Sequence, residues 1–328
     1  MLVAMLTTST TIAILLTLTS VSAITNDRPI IGILSQKVSD VINGNYGNIY
    51  DSYIAASYIK FVEGAGARVV PIWIGKPKSY YDDILSKING VLFPGGGSNF
   101  DDKYGYGDAA VHIHRIAKQM NDLGNYFPIL GICLGFEVLT YAMTNRDKQI
   151  FTRCEAENIA LPLVFMNDYH ESRMFGNVSN DIIDMLKNEM LTFNAHHNCV
   201  TIKQLRHYNI MDKFKILSVN YDKIGEEYIS SFETIGYPFY GLQFHPEKNL
   251  YEWKEDLKIP HGENAARVTQ FFANFFVDEA RKNHNYFTNV NEEAQSLIYN
   301  YPVQYTAQYH STFEQCYLFY KNGTTRYY

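Results

Sequence analysis

Apolar residues along the chain fall into short unbroken runs that alternate with stretches of helical spacing. Residues 29–34, Pro-Ile-Ile-Gly-Ile-Leu, are apolar throughout, as expected of a parallel strand covered on both faces. Over 51–63 the spacing turns helical through Tyr53, Ala56, Ile59 and Val62, and Gly64 and Gly66 end the helix. A strand follows at 68–73, a short helix at 81–88, and a strand at 91–93 that stops at Pro94-Gly95-Gly96-Gly97. Residues 109–123 read as helix, 126–132 as strand and 134–143 as helix again. This alternation predicts βαβ units, and so an α/β three-layer sandwich around a mostly parallel central sheet.

The second half is less regular. Strand-like runs occur at 160–165, 215–220 and 239–244. A long helix at 264–282 carries Val268, Phe271, Phe272, Phe275 and Phe276, and the tyrosine-rich tail after Tyr299 shows no clear element. No Pro/Ser-rich linker divides the chain, so residues 24–328 read as one domain.

Composition narrows the class. Of 328 residues, 46% are hydrophobic and 19% charged, which is ordinary for a globular protein. The formal charge of -6 speaks against nucleic acid as a partner. Residues 1–23 hold no charged side chain, and an apolar stretch at 12–18 leads to Val21-Ser22-Ala23. That pattern predicts a signal peptide cleaved after Ala23, with no membrane span in the mature chain. Sequons at Asn177 and Asn322 fit passage through the secretory pathway. The four cysteines are Cys133, Cys154, Cys199 and Cys316; if Cys133 is catalytic, at most one internal disulfide forms and one thiol is left over.

The chemistry concentrates in three segments. In Gly131-Ile132-Cys133-Leu134-Gly135 a buried strand turns sharply into a helix with the thiol at the apex. A cysteine there projects at the carboxyl edge of the sheet, and the helix dipole favours its thiolate. In Gln243-Phe244-His245-Pro246-Glu247 a second strand ends in a histidine able to carry the thiol proton and a carboxylate able to orient its ring. The backbone N–H groups of Gly95 and Gly96, with that of Leu134, form a candidate oxyanion hole. His112 and His114 lie two apart on one helix and do not share a face, and no Cys/His spacing suggests a metal or a cofactor.

Glycine loop, elbow and His-Pro-Glu together resemble the class I glutamine amidotransferases. The wider sequence resembles the γ-glutamyl hydrolases more closely. The likeness runs through residues 28–34, 53–58, 66–71, 172–175, 243–248, 251–253, 276–282 and 313–317. The resemblance implies Cys133 as nucleophile, His245 as proton carrier, Glu247 as its orienter and His196 near the active site, with His197 immediately after it. It implies folylpoly-γ-glutamates as small-molecule substrates and a lysosomal, vacuolar or extracellular destination. A polyanionic substrate calls for local cations, for which Arg173 and Lys248 are the candidates. In an acidic compartment a thiolate–imidazolium pair of Cys133 and His245 is expected. Two other readings use the same residues: the glutaminase of an amidotransferase, and an inactive secreted binding protein. The oligomeric state is left open, a homodimer among the options.

Overall fold

A computed structural model describes residues 25–309 and 311–320. The leader read at residues 1–23 and the sequon at Asn322 lie outside them.

The central sheet has eight strands in the order Arg68–Ile72, Ile30–Leu34, Gly90–Phe93, Ile129–Ile132, Phe239–Leu242, Glu227–Thr234, Phe214–Tyr221 and Val164–Phe165. The first five run parallel and the last three join antiparallel. The parallel strands are buried along their whole length except at Arg68, which is why they read as continuous apolar runs. Their side chains divide between two cores by the two-residue period of a strand. Ile31 and Ile33 point into one core, Ile30 and Leu34 into the other. The helices Ala56–Glu63 and Glu263–Ala280 cover the first face. Lys78–Leu85, Tyr106–Asp122 and Leu134–Met143 cover the second. The result is the expected three-layer α/β architecture.

Helix Glu263–Ala280 shows how the layers are held. Ala265, Val268, Phe272 and Phe276 recur at three- and four-residue steps and are fully buried against the sheet. Burial of each large side chain contributes about 2 kcal/mol.

Two readings need correction. Residues 50–55 form a strand, and the helix is only Ala56–Glu63. Tyr53 fits the helical spacing, but Tyr50–Ala55 pairs with the strand Gln315–Tyr320, with Cys316 opposite Ala55. The tail after Tyr299, read without elements, thus supplies Val303–Tyr305 and Gln315–Tyr320 to a four-stranded antiparallel sheet. A two-stranded ladder of Thr152–Leu161 and Thr192–Cys199 lies beside the carboxyl edge of the central sheet. No helix among the described residues is long and apolar enough to cross a membrane.

Candidate active site

Neighbouring parallel strands carry the two reactive side chains to one edge. Ile132 pairs with Leu242, and the Cys133 N–H donates to the Leu242 carbonyl at 2.8 Å. The next residues of each strand therefore leave the sheet side by side. Cys133 has φ 52° and ψ −108°, in the left-handed half of the map that a side chain rarely enters. The turn closes only because its flanks are glycine. A Cβ on Gly135 would stand 1.9 Å from the Phe93 carbonyl oxygen, and one on Gly131 2.3 Å from that of Gly135.

His245 leaves the other strand with its N–H donated to the Phe193 carbonyl at 2.8 Å. Its Nδ1 lies 2.7 Å from Glu247 Oε1, in a pair almost wholly shielded from water. An Nδ1–H donated to that carboxylate leaves Nε2 as the basic nitrogen. Gly95 relates the Cys133 side chain to this ring. A methyl built on it would lie 2.7 Å from His245 Cε1, 2.7 Å from the Tyr58 hydroxyl and 3.0 Å from Cys133 Cβ. The three side chains converge on one point of backbone.

The glycine loop is held from three sides. Gln36 Nε2 donates to the Gly95 carbonyl at 2.8 Å, the Tyr106 hydroxyl donates to that of Pro94 at 2.8 Å, and Gly95 N–H donates to the Tyr58 hydroxyl at 2.9 Å. That last bond corrects one expectation: Gly95 N–H is already committed and is no free oxyanion donor. Gly96 and Leu134 N–H make no hydrogen bond to a backbone or side-chain oxygen among the described residues. The roles of Tyr58 and Gln36 escaped sequence reasoning: Tyr58 ends a family-like stretch and Gln36 lies in no motif, but nothing local shows that both act on a loop distant in the chain.

Burial pushes the Cys133 thiol well above its ordinary range, and the Glu137 and Glu247 carboxylates push the same way; Leu134 N–H and Lys248 oppose them. Burial and the two carboxylates thus work against the thiolate, while the positive end of helix Leu134–Met143 works for it. Glu137, in the first turn of Leu134–Met143, is itself raised to about 8 by burial, with the nearby Gln243 and Asn198 amides pulling it down.

His196 sits beside this centre and is held by contacts of its own. The carbonyl of its neighbour Ala195 is 4.0 Å from Cys133 Sγ. The His196 ring instead packs on Tyr228, with Nδ1 3.1 Å from the Asn198 carbonyl and 3.6 Å from each sulfur of a disulfide between Cys154 and Cys199. Burial lowers its pKa to about 3, so it stays neutral. Cys154, His196 and Cys199 are close enough to resemble a metal site, but their sulfurs are bonded to each other. Cys316 is the leftover thiol, buried and free.

Arg173 is not brought to the thiol. Its guanidinium donates to the carbonyls of Thr234 and Tyr237 at 2.6 and 2.7 Å and stacks on the Tyr240 ring. Those carbonyls belong to the turn before Phe239–Leu242, at the edge of the sheet opposite Cys133. Lys248 is buried, with its ammonium 4.6 Å from the centre of the Phe313 ring. Phe313 lines a cavity of about 580 Å³ that opens beside Gly96.

A strained cysteine elbow on a parallel sheet, facing a histidine–carboxylate pair, defines an α/β protein of the thiol-hydrolase type. Residues 29–247 match the model of the Peptidase C26 family, and the chain belongs to that family. It is 41% identical over 293 residues to the γ-glutamyl hydrolase of Rattus norvegicus, covering 89% of this chain and 90% of the relative. The γ-glutamyl hydrolase of Homo sapiens is 40% identical over 297 residues, covering 90% and 91%. γ-Glutamyl hydrolase B of Dictyostelium discoideum is 37% identical over 295 residues, covering 90% and 84%.

Proposed function

We propose that this chain hydrolyses γ-glutamyl amide bonds, with Cys133 as nucleophile, His245 as proton carrier and Glu247 as the group that orients it. The observation that carries the reading is the convergence of Cys133, His245 and Tyr58 on the Gly95 backbone, with Glu247 2.7 Å behind the imidazole. Cys133 attacks the γ-carbonyl as its proton passes to His245 Nε2. The oxyanion accepts from Gly96 and Leu134 N–H. Collapse forms a thioester and expels the amine, which leaves with the proton from His245. Water then gives its proton to His245 and cleaves the thioester to a free γ-carboxylate, and the proton returns to sulfur. Glu247 stabilises the imidazolium of both half-reactions.

Folylpoly-γ-glutamates are the substrate class that the sequence resemblance implies, and relatives of 35–41% identity named γ-glutamyl hydrolases support cleavage at the γ-glutamyl bond. Residues 24–328 act as one domain, since the strand at Gln315–Tyr320 is built into the sheet that holds Gln36. The leader read at residues 1–23 and the exposed sequon at Asn177 support a secretory destination, lysosomal, vacuolar or extracellular. Amino-terminal sequencing of protein from its source should find a start at or near Ile24; a chain still beginning at Met1 overturns that part. For the reaction, the purified chain should release glutamate from an oligo-γ-glutamate and no ammonia from free glutamine. Ammonia release without peptide cleavage would favour the amidotransferase reading.

A further inference from the structure

The ladder of Thr152–Leu161 and Thr192–Cys199 forms one wall of the active site. On its second strand the Phe193 carbonyl accepts from His245 N–H at 2.8 Å, and the Ala195 carbonyl lies 4.0 Å from Cys133 Sγ. The same strand ends at Cys199, which a disulfide joins to Cys154 on the facing strand. No step of the hydrolysis uses that bond.

The wall is weak without it. A sheet of two strands is marginal by itself, and in this one the register shifts between Arg153 and Ala156 and again between Ala156 and Ile159. Those irregularities flank the pair Ala156–His196, next to the Ala195 carbonyl that faces the thiol. The ladder also has little apolar burial of its own. Its buried cluster stands apart from both main cores and consists of Cys154, Ala156, Cys199 and Tyr228, so half of it is the disulfide. Bonds to the neighbouring hairpin fasten the ladder only near its ends: Glu155 N–H donates to Asp222 Oδ2 at 2.7 Å, and Ile229 N–H to the Val200 carbonyl at 2.9 Å. From Phe193 to Val200 the backbone therefore leans on the irregular pairing and on the cross-link.

We propose that the Cys154–Cys199 disulfide positions the catalytic centre, closing the irregular ladder so that the Phe193 and Ala195 carbonyls stay in place against His245 and Cys133. The assignment rests on the hydrolase reading for the chemistry it serves. Opening the bond then slows a chain that is still folded. Cys154 lines a cavity of about 350 Å³, through which a small dithiol reaches the pair. One thiol of the reductant attacks a sulfur, its second closes the reductant's own disulfide, and Cys154 and Cys199 are left as two thiols. Cys133, already a thiol, is unchanged by that step.

Cys154→Ala, Cys199→Ala and the double variant test this, beside Leu85→Ala, a chain destabilised in the core on the other face. All are assayed well below their melting temperatures. Each cysteine variant should lose about tenfold in kcat for glutamate release from an oligo-γ-glutamate, with KM within about twofold, because a small displacement is felt in the chemical step. The double variant should be no slower than either single one, since all three remove the same bond. Iodoacetamide should alkylate Cys133 about tenfold more slowly in these variants, followed by peptide mass spectrometry. Parent protein opened by dithiothreitol, its two new thiols counted by mass, should match them. Leu85→Ala should melt lower yet keep the parental kcat and alkylation rate. Cysteine variants or an opened parent with unchanged kcat and alkylation, or a Leu85→Ala chain slowed as much, overturn the proposal. A parent that releases no glutamate refutes the hydrolase reading alone, since alkylation requires no turnover.

Discussion

Gly95→Ala should disable the site while leaving the fold nearly intact. The added methyl would stand 2.7 Å from His245 Cε1 and from the Tyr58 hydroxyl and 3.0 Å from Cys133 Cβ, all closer than an ordinary van der Waals contact of 3.4 Å or more. The ring is poorly placed to yield, because Glu247 holds Nδ1 at 2.7 Å and Phe193 holds the backbone. Relief of the clash requires shifts of several tenths of an ångström to about 1 Å, a misplacement that costs on the order of 10²-fold in rate. Overpacking of this kind costs roughly 1–3 kcal/mol of stability, a fall of several degrees in Tm. Gly97→Ala is the control, since nothing lies within 4 Å of its methyl. The assay is steady-state glutamate release from an oligo-γ-glutamate, with a thermal melt of each variant. A Gly95→Ala chain with kcat within about threefold of the parent would refute the packing argument.

Three further outcomes follow from the same geometry. Burial raises Glu137 to about 8, so its contribution to stability is whole below about pH 4.5 and is lost as pH rises toward 8. Glu137→Gln should flatten the fall in stability between pH 5 and 8, by about 5 kcal/mol at most; an unchanged slope would contradict it. Replacing both Cys154 and Cys199 by alanine opens a loop of sequence separation 45, which should cost about 4 kcal/mol and show as a lower melting temperature, as should reductant on the parent. His245→Ala should cost several orders of magnitude in kcat and Glu247→Ala clearly less, because the ring moves the proton in both half-reactions while the carboxylate orients it. The reverse ranking in steady-state kinetics would reassign the roles.

The parallel half of the fold was legible because strands covered on both faces are written as apolar runs, each followed by a helix. The antiparallel sheet was not. Tyr50–Ala55 is made a strand by Gln315–Tyr320, near the far end of the chain, and no local window contains that partner. At the site, the elbow was readable from Gly131 and Gly135, whose small size the turn demands. The roles of Tyr58 and Gln36 were hidden, since each acts through hydrogen bonds to a loop brought close only by folding. Arg173 misled because a cation in a motif-like stretch says nothing of which sheet edge it reaches; here carbonyls of the turn before Phe239 hold it. The helix dipole argues for a thiolate, and the opposing burial beside Glu137 and Glu247 is visible only once the chain is folded.

The central claim, that Cys133 is the nucleophile, is tested most directly by Cys133→Ser assayed beside the parent for glutamate release from an oligo-γ-glutamate. The hydroxyl matches the thiol in shape but is far less acidic, so the elbow should fold and bind substrate while turnover is lost. Iodoacetamide should label Cys133 fastest in the parent, because His245 can take its proton as the sulfur reacts, with substrate protecting it; Cys316, with no exposed surface, should react slowly if at all. Loss of activity with an unchanged melt is the predicted result. Substantial hydrolysis by a folded, contaminant-free Cys133→Ser chain would place the nucleophile elsewhere and contradict the account.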